Sequence, residues 1–78
     1  MNLEKIERWA KERKRVRIKL NKTRILVAEE RERAKHPGYG KFTDGTPYKT
    51  LLGTIEHELS VLEQREQRLT TSLVKEVS

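Results

Sequence analysis

The residues equipped for chemistry are few, and their spacing works against each familiar use. The chain has two histidines, His36 and His57, and no cysteine. His57 lies in "IEHEL", which begins like the zinc-binding helix His-Glu-x-x-His. Leu59, Ser60 and Val61 follow Glu58, however, so the second histidine that would complete the ligand pair is missing. His36 has no obvious serine and acid companions for nucleophilic catalysis. The glycines of "GYGKFTDG" follow no strand and lack the Gly-Lys-Ser/Thr that cradles a phosphate. The expectation is a non-enzymatic chain with no cofactor, no metal site and no catalytic residue.

Two other stretches have the composition of a binding surface. "KERKRVRIKLNKTR", from Lys11 to Arg24, holds eight basic residues and one glutamate. The basic residues are Lys11, Arg13, Lys14, Arg15, Arg17, Lys19, Lys22 and Arg24. Several recur at helical neighbour spacing, where like charges each destabilise a helix by a few tenths of a kcal/mol. An anionic partner would offset that repulsion: an acidic protein surface, or a phosphate backbone. No aromatic is interleaved with the run, and Glu4, Glu7, Glu12, Glu29, Glu30 and Glu32 flank it, which favours protein over nucleic acid.

The second stretch is "HPGYGKFTDGTPY", from His36 to Tyr48, with three of the four glycines, both prolines and three of the four aromatics. Helix connections in bundles commonly take two to eight residues, so this one exceeds what a turn needs. Thr43-Asp44-Gly45 is a turn signal, and a small lobe or distorted hairpin is expected around it. Its core would be Tyr39, Phe42 and Tyr48. The aromatics Tyr39, Phe42 and Tyr48, with Lys41, are the candidate recognition residues, because rings of this kind supply contact area at low entropic cost.

Long helices must position both stretches. In the first half, Ile6, Trp9, Arg13, Val16, Leu20, Thr23, Val27, Glu30 and Ala34 follow alternating steps of three and four, which is heptad spacing on one helical face. No proline or glycine occurs before Pro37, Asn2 suits an N-cap, and His36-Pro37-Gly38 is a stop signal. In the second half, Leu52, Ile55, Leu59, Leu62, Glu66, Leu69 and Leu73 repeat the pattern, with Tyr48 one step earlier. Thr46-Pro47 resembles an N-cap followed by proline at the first helical position. Gly53 weakens the second helix by about 1 kcal/mol relative to alanine, and would allow close backbone approach or a hinge.

The predicted fold is all-α: an antiparallel two-helix hairpin of long coiled-coil-like helices, forming one domain over residues 1–78. The first helix spans about 3–35, the aromatic loop 36–46 and the second helix about 47–76. Arg13 and Glu66 fall at similar heights and would pair across the hairpin. Leu3, Ile18, Ile25, Leu26, Leu51 and Val74 lie off the seams and need cover. A dimer forming a four-helix bundle would supply it, a closed monomeric hairpin being the alternative. The self-association seam comprises Ile6, Trp9, Val16, Leu20, Val27, Leu52, Ile55, Leu59, Leu62, Leu69 and Leu73.

Composition agrees with this picture. A chain of 78 residues is near the lower limit for a self-sufficient core, and without cysteine it cannot use disulfides. Residues 1–35 carry a charge of +7, residues 36–50 carry +1 and residues 51–78 carry −2, so the excess lies in the first half. The N-terminal residues have no apolar signal-peptide region and no run approaches the ~20 residues of a membrane span. The expected location is the cytoplasm, without membrane contact.

The expected function is a small protein-binding module, an accessory regulator or inhibitor. It would be a homodimer docking on an acidic protein surface through the basic face and the aromatic loop. Phage accessory proteins are one setting in which such small helical proteins occur. The alternative is a nucleic-acid-binding accessory protein using Lys11–Arg24. A hairpin pair laid on RNA would be similar in architecture to the plasmid copy-number regulator Rop, although no motif is shared and the connection here is much longer. A third reading is a structural assembly segment relying on the Leu52–Leu73 seam.

Overall fold

The computed structural model describes residues 2–78. Two helices make up most of them: α1, Leu3–Ala34, and α2, Leu51–Val77. Ion pairs that join Glu12 to Arg65 and Arg31 to Glu56 set the helices antiparallel, so the fold is a helical hairpin. The molecule measures 60 × 18 × 15 Å.

The limits of α1 follow from local chemistry. The Asn2 side chain accepts a hydrogen bond from the Lys5 N–H at 3.1 Å, capping the first turn. Glu4 lies in that first turn and Arg31 and Arg33 in the last, where the helix dipole favours each sign. At the other end, Tyr39 N–H bonds to the His36 carbonyl at 3.2 Å, closing a turn with Pro37 second and Gly38, at φ 87°, third. That is the pattern of a type II turn, which needs a positive φ at its third residue.

The start of α2 differs from the sequence expectation. Thr46-Pro47 is not the N-terminus; Thr50 is the N-cap, its hydroxyl accepting the Gly53 N–H at 3.1 Å. The reason is a competing set of backbone bonds. Phe42 N–H bonds to the Thr46 carbonyl at 2.7 Å, and Tyr48 N–H to the Gly40 carbonyl at 2.9 Å. These hold residues 40–48 in a miniature hairpin, with Lys41 opposite Pro47. Pro47 fits there because both bonds belong to its neighbours, so its missing N–H leaves no gap. Tyr48 consequently does not extend the α2 seam.

The apolar faces meet as the heptads require. Val16, Leu20 and Leu62 form the centre of the core, with Leu59 and Leu69 packed against it. Val27 and Ile55 are also buried. Ile6, Trp9, Leu52 and Leu73 are half-buried towards the ends of the seam, and the Lys5 ammonium sits 4.8 Å from the centre of the Trp9 ring. Thr23, a polar residue on the seam, is buried and satisfied by donating to the Lys19 carbonyl at 2.8 Å. The off-seam residues Leu3, Ile18, Ile25, Leu26, Leu51 and Val74 are exposed.

Gly53 supports no close helix approach. A Cβ there would meet only the Thr50 hydroxyl, at 3.4 Å. Gly53→Ala is therefore expected to stabilise the hairpin by about 0.5–1 kcal/mol, seen as a higher urea midpoint with an unchanged slope.

Candidate functional site

The basic run divides into two groups once it is folded. Arg13 and Arg17 both approach Glu66, with their Nε atoms 3.8 and 3.5 Å from its Oε1. Arg13 Nε is buried and makes no hydrogen bond among the described residues, so that contact is an ion pair only. Lys19 reaches Glu58 at 3.2 Å. These three cations, with Glu12–Arg65 and Arg31–Glu56, flank the seam and hold the two helices in register. Glu56 and Glu58 are thus interhelical partners.

Lys11, Lys14, Arg15, Lys22 and Arg24 are exposed and have no carboxylate within 4 Å among the described residues. Helical spacing puts the first four on one outward stripe together with Ile18 and Ile25, which are 50% and 59% exposed. Glu4 and Glu7 precede this stripe, and Glu29 and Glu32 follow it.

The loop is built by consecutive turns. After the His36–Tyr39 turn, Lys41 N–H bonds to the Gly38 carbonyl at 3.1 Å, with Gly40 at φ 82°. A side chain at Gly40 would also press on the Thr50 methyl at 3.2 Å. The hairpin tip closes through Gly45 N–H to the Phe42 carbonyl at 2.8 Å, with Gly45 at φ 89°. Asp44 accepts the Thr46 N–H at 2.9 Å, and this bond holds its carboxyl below the usual carboxylate range.

The three loop rings do not form one core. Tyr39 turns inward: its hydroxyl donates to Glu30 Oε2 at 3.1 Å and accepts the Leu52 N–H at 3.3 Å. Glu30, only 5% exposed, accepts Arg33 on its other oxygen at 2.9 Å. That hydrogen bond raises the already high pKa of the Arg33 guanidinium. Phe42 and Tyr48 instead pack on each other, ring centres 5.1 Å apart and tilted by 54°, while remaining 59% and 41% exposed. Lys41 is exposed beside them.

Of the loop residues named from sequence, Tyr39 is a structural anchor and Phe42, Tyr48 and Lys41 are available to a partner. The Glu30–Tyr39–Leu52 connection was not anticipated. Its signal was a carboxylate at a seam position one turn before the helix stop, followed closely by a tyrosine.

No group of three or more metal-ligating side chains occurs among the described residues, and no described helix is long and apolar enough to cross a membrane. Compared with protein-family models, curated proteins and solved structures, the chain gives no match.

Proposed function

We propose that the chain is a non-enzymatic, homodimeric protein-binding module that docks on an acidic surface of a larger protein, as an accessory regulator or inhibitor. The observation that carries this reading is the Phe42–Tyr48 pair, two exposed rings held on a hydrogen-bonded hairpin. Rings ordered before binding lose little further freedom when they are covered. The unpaired cations of α1, with Lys41 and a net charge of +6, set the sign of the partner.

Nucleic acid is the weaker reading, for a specific reason. The basic stripe contains Ile18 and ends at Ile25, and carboxylates bound it on both sides. Apolar side chains set among cations suit a partner with an apolar strip inside an acidic rim better than they suit phosphates.

Affinity capture from source cells with the wild-type chain and a Phe42→Ala variant tests the proposal. A captured acidic protein whose affinity falls at least ~10-fold in the variant, with helicity unchanged, is the expected result. Micromolar binding to random RNA that weakens steeply with salt and ignores Phe42→Ala would overturn it.

A further inference from the structure

The outward face of α1 carries a charge pattern that its own reversal complements. Along that face the chain presents Lys11, then Lys14 and Arg15, then Ile18, Asn21 and Lys22, then Ile25, and finally Glu29 and Glu32. After Glu4 and Glu7, the cations occupy the N-terminal part and Glu29 and Glu32 the C-terminal part, with Ile18 and Ile25, one heptad apart, on either side of Lys22 between them. Lys11, Arg15 and Glu29 have no ionic partner within 4 Å among the described residues. Glu32 meets only Lys35, in a pair more than two-thirds exposed on both sides, which is easily exchanged.

We propose that a second copy of this chain packs antiparallel on this face, about a two-fold axis passing between Asn21 and Lys22. In that register Ile18 of one copy covers Ile25 of the second copy, and the reverse. Lys11 meets Glu32 of the second copy, and Glu29 of the second copy falls between Lys14, directly opposite, and Arg15, one residue away. The two-fold axis makes each of these contacts twice, as an isologous interface requires. One like-charged meeting remains, Lys22 beside Lys22 of the second copy, at the rim where both ammonium groups reach solvent. Other registers are worse. Moving the axis to Ile18 would set Lys14 against Lys22 and Glu7 against Glu29 of the second copy.

The four helices then form an array with the two α1 helices innermost and the two aromatic tips at opposite ends. This covers Ile18 and Ile25, which the hairpin alone leaves in water. It also leaves Arg24 and both tips available. The inference rests on the homodimer reading above and specifies its interface. Docking of the acidic partner is read separately by Phe42→Ala, so either can fail without the other.

A charge-swap experiment tests the register. Sedimentation equilibrium at micromolar concentration should give the wild-type chain about twice its 9.2 kDa mass. A Lys11→Glu/Arg15→Glu variant and a Glu29→Arg/Glu32→Lys variant should each sediment as single chains, association being weakened on the order of a hundredfold. Mixing the two should restore the double mass, because every reversed charge then meets its opposite. A wild-type chain that stays at the single mass would overturn the proposal. So would dimers that persist in both variants alone, or a mixture that remains monomeric. As an independent reading, Asn21→Cys in the otherwise cysteine-free chain should give a disulfide-linked dimer under mild oxidation, and failure to do so counts against the axis.

Discussion

Leu20→Ala is expected to lower the melting temperature of the helical signal by roughly 10 °C or more, measured by circular dichroism. Leu20 is almost fully buried at the middle of the seam, between Val16 and Leu62. Truncating a buried leucine costs about 2–5 kcal/mol, from the lost transfer energy and the cavity left behind. A two-helix core has little room to collapse around that cavity, since only seam residues line it. Cores of this size rarely supply more than about 3–5 kcal/mol in total, so the substitution removes much of the margin. Val61→Ala, at an exposed position on α2, is the matched control and should change stability by less than about 0.5 kcal/mol. Equal losses at the two positions would mean that the seam is not the core.

Tyr39→Phe should cost about 1–3 kcal/mol although it removes a single oxygen. The hydroxyl satisfies two groups at once: the buried Glu30 carboxylate and the Leu52 N–H in the first turn of α2. Phenylalanine would keep the ring and leave both without that partner, and an unsatisfied buried group costs more than a hydrogen bond contributes. Hydrogen exchange localises the effect. The Leu52 amide should exchange markedly faster in the variant, while amides near Leu62 change only with global stability. Phe42→Ala serves as the contrast, because the Phe42 ring touches Tyr48 at the exposed tip and neither helix depends on it. Unchanged Leu52 exchange in Tyr39→Phe would show that the tyrosine is not the link between loop and helices.

These two expectations show how unevenly the structure can be read from the chain. Leu20 was identifiable as core because heptad spacing depends only on residues a few positions apart, and the helix enforces it. The stop after Ala34 was equally local, since Pro37 and Gly38 act on their own backbone. The start of α2 was not. Thr46-Pro47 and Thr50 are both acceptable helix openings by residue type, and the choice fell to Thr50 because Gly40 and Phe42 hold Tyr48 and Thr46 in the small hairpin.

The candidate site follows the same division. The sequence by itself determined that eight cations crowd one stretch and that three rings crowd the connection. Residue types and helical spacing are enough for that. Only the tertiary structure decided that Arg13, Arg17 and Lys19 are committed to α2 carboxylates, and that Tyr39 faces inward while Phe42 and Tyr48 face out. The physical reason is distance along the chain. Glu58 and Glu66 approach the basic run, and Glu30 and Leu52 approach Tyr39, only after the hairpin has closed. Whether a charge or a ring remains free for a partner depends on those closures.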